Sequence, residues 1–250
     1  MTAAGTVQRQ LPFTVRFEWG LDGARAIAPG AELAVVVDVL SFTTCVSVAV
    51  DRGAAVFPYP LKDAGAEDFA IKHSARLARP RGSGGLDLSP GSLRDAANLG
   101  RVVLPSPNGS ALAFELAGSV PLVVAVSLRN AAATADWALA ALSPDAVVAV
   151  IAAGERWPNG MLRFAVEDQL GAGAFIAGLA AAGRDVMSPE ALMAAAAFNA
   201  AEPRLAELLR DCTSGRELIA EGYANDVEIA AGLDAGYAVA LLRDGAFRQP

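Results

Sequence analysis

The sequence predicts a three-layer α/β fold, with a largely parallel, mixed sheet, helices on both faces and a mostly helical C-terminal portion. Three observations predict it. Short runs of β-branched and apolar residues alternate with helix-length amphipathic runs from residue 14 to residue 182. Several of the strand-like runs end in a turn of Asp, Ser, Thr, Asn or Gly, the composition of a strand-to-helix junction. Beyond residue 183 the helical patterns follow one another without an intervening strand until the chain's end. At 250 residues, 54% of them hydrophobic, the chain is too apolar for disorder and long enough for one large core. It is read as a single domain over 1–250, with an α/β core at 33–182 and a helical part with a terminal hairpin at 183–250.

The elements follow in order. TVRFEW (14–19), LAVVVDV (33–39), AAVFPY (54–59), RVVLP (101–105), PLVVAV (121–126) and AVVAVIA (146–152) have strand length and strand composition. The near-continuous apolar run before Asp38 is that of a strand buried on both faces. Helical patterns fill 42–52, 62–78, 110–118, 130–142 and 164–182, then 189–199, 203–211, 214–222 and 225–233. Asp244-Gly245 between YAVALL and AFRQ signals a closing hairpin. The segment 79–92, RPRGSGGLDLSPGS, is the one long loop-like stretch, and loops of that length in a compact domain tend to be functional. Gly171, Gly173 and Gly178 follow a helical Glu-Asp-Gln stretch rather than a strand, so they predict close helix packing and not a dinucleotide loop.

Charge and composition exclude several functions. The formal net charge is -7 and no Lys/Arg patch is visible, which argues against a nucleic-acid partner. No apolar stretch, Ala172 to Ala182 included, is long enough to span a bilayer, and the N-terminus lacks a signal-peptide pattern. Two distant cysteines, Cys45 and Cys212, give no disulfide framework, so a cytoplasmic location is expected. The one histidine, His73, excludes a multi-histidine metal site; a hard, oxygen-ligated cation such as Mg2+ stays compatible. No Asp-x-Asp phosphatase loop, cysteine-phosphatase loop or Walker loop is present.

Four strand ends carry polar turns of one character. Asp38 is followed by Ser41, Thr43 and Thr44; Leu104 by Ser106, Asn108, Gly109 and Ser110; Val126 by Ser127 and Asn130; Ala152 by Gly154 and Glu155. In a parallel sheet these turns would share one edge, where ligands bind in open α/β folds. Each turn taken alone is also a plain cap or turn; together they point to an anion-binding cleft with helix N-termini at its rim. Glu167-Asp168 opens a long helix and supplies either dipole-favoured carboxylates or a hard-metal and acid/base pair. Ser214-Gly215-Arg216 opens another, and Arg216 is suited to clamping an anion. Asp226 and Glu228 read as a cap and an exposed helical residue.

Assembled, these motifs resemble the 2-phosphosulfolactate phosphatase family from about residue 33 to about 245. The family's Asp-Val-Leu-Arg-Ala-Thr-Thr stretch is similar to Asp38–Thr44, its Gly-rich Asp-Leu loop to Gly85–Pro90, and its Thr-Asn-Gly-Thr turn to Pro107–Ser110. Its Ser-x-x-Asn turn resembles Ser127–Asn130, its alanine-glycine turn Ala153-Gly154, and its later Glu-Asp Glu167-Asp168. Its Ser-Gly-Arg-Glu-Leu and Asp-Val-Glu resemble residues 214–218 and 226–228. The family's arginine after Asp-Val-Leu is Ser41 here, and the 79–92 loop is shorter and lacks an Asn; Arg129 or Arg81 are the candidate replacement cations.

The resemblance implies a Mg2+-dependent phosphatase acting on a small-molecule phosphate ester of a 2-hydroxy acid. Asp38, Glu167 and Asp168 are then the metal or acid/base residues, with Asp38 alternatively a nucleophile. Ser41, Thr43, Thr44, Asn108, Gly109, Ser110, Ser127, Asn130 and Gly154 line the phosphate site, and Arg216 holds the substrate carboxylate. The alternatives are a non-catalytic binder of phosphorylated or sulfonated acids and, more remotely, a nucleotide-dependent enzyme. Exposed apolar positions on the C-terminal helices suggest a homodimer.

Overall fold

The computed structural model describes residues 7–60 and 65–250. Its strands are β1 (Val15–Trp19), β2 (Leu33–Val37), β3 (Ala55–Tyr59), β4 (Arg76–Leu77), β5 (Arg101–Pro105), β6 (Leu122–Val126), β7 (Val148–Ala152), β8 (Glu155–Arg156), β9 (Leu162–Arg163), β10 (Ala240–Arg243) and β11 (Ala246–Arg248). Its α-helices are α1 (Gly20–Ile27), α2 (Phe42–Asp51), α3 (Gly65–Lys72), α4 (Pro90–Asp95), α5 (Gly109–Leu116), α6 (Ala131–Ala141), α7 (Val166–Ala181), α8 (Pro189–Ala201), α9 (Leu205–Asp211), α10 (Thr213–Ala220) and α11 (Ala224–Ala230).

One mixed sheet runs in the order β1-β7-β2-β6-β10-β11-β3-β5-β4, and β8 and β9 form a separate ribbon. β1, β7, β2 and β6 are mutually parallel, as are β3, β5 and β4. The β10–β11 hairpin joins the two blocks through three antiparallel pairings, so the ladder reverses between them. The hairpin at the chain's end is thus an inner part of the sheet. Its turn suits the hairpin: Asp244 and Gly245 both have positive φ (51° and 76°), the backbone of a two-residue primed turn.

Strand alternation sorts the layers. Val35, Val37, Val124, Val126, Val148 and Val150 belong to the large core beneath α6, α7 and α8. Their neighbours Ala34, Val36, Val123, Ala149 and Ile151 pack with Ala24 and Ile27 of α1 and with Leu112 and Leu116 of α5. The sheet is therefore covered on both faces, which is why β2 and β7 are apolar at every position. The glycines of α7 serve packing as expected. A Cβ at Gly173 would strike the Ala194 carbonyl of α8, and one at Gly178 would come within 2.9 Å of Ala135 on α6.

Several sequence expectations change. The helix expected over 62–78 is α3, Gly65–Lys72; residues 62–64 lie outside the described residues. It stops because Ser74 takes a positive φ of 50° and Arg76–Leu77 then pair with β5. The 79–92 loop is partly ordered by the Arg79–Asp87 bridge and by Ser89, which caps α4 through the Ser92 N–H. α1 was not foreseen; its glycines lower helix propensity, and burial of Ala24 and Ile27 overrides that. His73 lies between the rings of Phe57 and Phe69, at 4.6 and 4.4 Å. Leu192 and Met193 of α8 stay exposed. Among the described residues no helix is long and apolar enough to cross a membrane.

Candidate active site

The apolar run of β2 delivers Asp38 to the end of the sheet, and the hydroxyls after it build the turn. Thr43 Oγ1 accepts from the Asp38 N–H (3.1 Å) and donates to the Asp38 carbonyl (2.8 Å), while Thr44 Oγ1 donates to the Val39 carbonyl (2.7 Å). Both threonines are fully buried. Their side chains shape the turn, and the Thr43 N–H is likewise spent, donating to the Asp38 carbonyl at 2.7 Å. The Asp38 carboxylate is buried but tethered. Oδ1 accepts from the Phe42 N–H at 3.2 Å; Oδ2 accepts from the Gly109 N–H at 2.7 Å and faces Ser106 Oγ at 3.5 Å. Burial raises its pKa, the two N–H donors lower it, and the Glu167 charge raises it further.

Only three of the four polar turns belong to parallel neighbours, those after β2, β6 and β7. The turn after β5 belongs to the reversed block, yet its Gly109 reaches Asp38. It is a glycine for a reason: a Cβ there would lie 2.7 Å from Asp38 Oδ2 and closer still to the Phe42 ring. Asn108 donates to Glu155 Oε2 at 3.2 Å.

Asp168 ties two of the turns together. Its Oδ1 accepts from the Val39 N–H (2.7 Å) and its Oδ2 from the Gly154 N–H (2.9 Å). Burial pushes its pKa well up, helped by the charges of Asp38 and Glu167. Glu167 is equally buried and lies against the Cys212 thiol, whose pKa is pushed up to about 12 by burial and then by that carboxylate. Glu155, which follows the Gly154 turn, is half-buried. Burial and the charges of Asp38 and Glu167 raise its pKa to about 7, and Arg163 opposes them. A cavity of about 380 Å3 opens beside Glu155 and Asn108, with Trp19, Arg25, Arg156 and Leu162 among its walls.

Other expected residues have different duties. Ser110 Oγ donates to the Leu104 carbonyl, and Ser127 and Asn130 form a reciprocal cap, Asn130 also bonding the Ala125 and Ala238 carbonyls. All three are fully buried with their side chains committed to the chain. Gly154 supplies its N–H to Asp168 and a positive φ of 65°. Arg216 is exposed on α10, which Cys212, not Ser214, caps. Arg163, 3.4 Å from Ser214 Oγ, is the arginine whose charge acts on Glu155.

Ser41 does not cap α2. It accepts from Arg81 Nη2 at 2.8 Å, while Arg129 pairs with Asp51. Asp226 does not cap α11, whose first turn follows Tyr223; it is buried and accepts from Ser89 Oγ (2.6 Å) and the Gly91 N–H (3.2 Å), while Glu228 is exposed as expected.

The family model for 2-phosphosulpholactate phosphatase matches residues 25–245. The chain belongs to that family. Two relatives, each named a probable 2-phosphosulfolactate phosphatase, agree with the assignment. The one from Carboxydothermus hydrogenoformans is 31% identical over 207 residues, covering 80% of this chain and 82% of the relative. The one from Synechococcus sp. is 28% identical over 212 residues, covering 80% and 83%. For this phosphatase family member, the matched span contains Asp38, Asn108, Gly109, Glu155, Glu167 and Asp168, the residues that meet around the strand ends.

Proposed function

We propose that this chain hydrolyses the phosphate monoester of a small 2-hydroxy acid, 2-phosphosulfolactate first, to the free hydroxy acid and inorganic phosphate, with Mg2+ as cofactor. The observation that carries the proposal is the buried Asp38 carboxylate, held by the N–H groups of Phe42 and Gly109 at the strand ends of a member of a phosphatase family.

The donor set fits Mg2+. Asp38, Asp168 and Glu155 each have their pKa raised in part by neighbouring carboxylate charge, so the site carries buried negative charge that a hard cation would neutralise. Each carboxylate oxygen has two lone pairs, and one N–H apiece leaves room for a cation. Among the described residues no three acidic, cysteine or histidine side chains form a ready cage. That suits an ion held by one or two carboxylates, drawn from Asp38, Glu167 and Asp168, with phosphate oxygens and waters completing its shell. When bound, it would polarise the phosphoryl group and neutralise developing charge.

The chain's own residues do the rest. At the N-terminus of α5 the Gly109 N–H holds Asp38, and the N–H groups that follow it would be the donors to the phosphoryl oxygens. Glu155, fixed by Asn108, holds a proton near neutral pH where a leaving-group oxygen would need one. The cavity beside these two residues has room for the remainder of a three-carbon acid. The test is phosphate release from a panel of 2-phospho-hydroxy acids with Mg2+ and with EDTA. Mg2+-dependent release supports the proposal. Ligand-induced thermal stabilisation without release from any member would make the chain a binder of such acids instead.

A further inference from the structure

Arg81 leaves the 79–92 loop and reaches the turn that carries Asp38. Its Nη2 donates to Ser41 Oγ at 2.8 Å and stands 3.6 Å from Asp226 Oδ2, and its guanidinium lies over the Tyr223 ring at 5.0 Å. The side chain is 23% exposed, so a ligand can reach it. Its Nε is buried without an acceptor, and Asp226 Oδ2 is buried without a donor. Ser89 and Gly91 pin the other Asp226 oxygen, which fixes the carboxylate that holds Arg81 from behind. A guanidinium offers five N–H donors in a rigid fork, and most of Arg81's fork is unspent. Ser41 directly precedes Phe42, whose N–H holds Asp38 Oδ1, so the fork stands next to the acidic cluster.

We propose that Arg81 binds the second acid group of the substrate, the carboxylate or sulfonate, beside the phosphoryl site. This rests on the phosphatase function proposed above. The Ser41 hydroxyl, through its hydrogen bond, orients the arginine that arrives from the loop. Arg81 is thus a specificity-determining residue, supplied from a segment distant in sequence from the strand-end turns.

The experiment measures kcat/KM for 2-phosphosulfolactate and for phenyl phosphate, which lacks a second acid, with Mg2+. It uses the wild type, Arg81→Lys, Arg81→Met and the double variant Arg81→Met/Ser41→Arg. In Arg81→Met the ratio of the two values falls by about 10- to 100-fold, mainly through KM for the acid-bearing ester. Arg81→Lys, which keeps the charge facing Asp226, loses less, and Ser41→Arg restores part of the ratio. An unchanged ratio in a folded Arg81→Met protein, or in Arg81→Lys should Arg81→Met not fold, overturns the proposal. Sulfolactate gives a readout without turnover. It raises the melting temperature of the wild type and not of the Arg81 variants, whereas equal stabilisation overturns the assignment. A wild type that hydrolyses neither ester refutes the phosphatase function, and the sulfolactate shift still decides on Arg81.

Discussion

Replacing Gly109 by alanine places one methyl group where the structure has no room for it. The added Cβ lies 2.7 Å from Asp38 Oδ2 and closer to the Phe42 ring. Phe42 cannot retreat: it is fully buried and packs edge-on against Phe247 at 6.2 Å. Overpacking of this kind costs about 1–3 kcal/mol. Displacing the backbone weakens the 2.7 Å hydrogen bond from Gly109 to the carboxylate, a charge-assisted bond worth about 1.5–3 kcal/mol. The two effects overlap, so a loss of about 2–5 kcal/mol is expected, equivalent to a fall in Tm of about 5–20 °C for a chain of this size. Activity falls further than stability requires, because a 1 Å displacement of a reacting group costs about 100-fold. Scanning calorimetry and phosphate release measure both. Gly118→Ala is the control, since a Cβ there meets nothing within 4 Å. A Gly109→Ala protein with wild-type Tm and kcat/KM would refute the packing argument and the placement of Asp38.

Three further outcomes follow from the same geometry. Asp168→Ala strands the buried Val39 and Gly154 N–H groups and lowers Tm by more than Asp168→Asn, which keeps one acceptor; equal melting of both variants with the wild type, by calorimetry, would contradict the tie between the two turns. Glu155 makes stability depend on pH. Its folded pKa of about 7 lies above its ordinary 4.5, so between those values the folded state keeps a proton that the unfolded state has lost. Its stabilising contribution is complete below about 4.5 and is lost as pH rises through 7; in EDTA, Glu155→Gln flattens the Tm–pH curve over that window, and an unchanged curve would show that Glu155 does not titrate there. Mg2+ raises Tm, and more at pH 8 than at pH 5, because its carboxylate ligands must be ionised; pH-independent stabilisation in the same melts would place the ion elsewhere.

The longer strands and most helices were legible because local signals agree, whereas the two-residue strands β4, β8 and β9 were not. Valine runs, Asp-Gly at the hairpin and Ser or Pro before helices each determine a short piece of backbone. The sheet order was not legible. Insertion of β10–β11 between β6 and β3 depends on pairings more than a hundred residues apart, which no local pattern encodes. The site divides in the same way. Asp38, Asn108-Gly109 and Glu167-Asp168 lie at element ends and could be picked out from sequence. Whether a hydroxyl faces a ligand or the chain's own carbonyls could not, and Thr43, Thr44, Ser110 and Ser127 turned out to face the chain. Arg81 and Asp226 come from a loop and a short helix without strand periodicity, so only the fold reveals that they meet. Glu155 carried a signal that went unused: it directly follows the Gly154 turn, in line with the other strand-end acids.

The most direct test of the central claim is kcat/KM for Mg2+-dependent phosphate release from 2-phosphosulfolactate by Asp38→Asn and wild-type protein, with folding of both verified by circular dichroism. The amide keeps the shape of the carboxylate and removes its charge. A loss of about 100-fold or more in a folded Asp38→Asn protein is predicted, since Asp38 is placed at the reacting phosphoryl group. A folded Asp38→Asn protein releasing phosphate at the wild-type rate would contradict the account and move the chemistry away from the strand-end cluster.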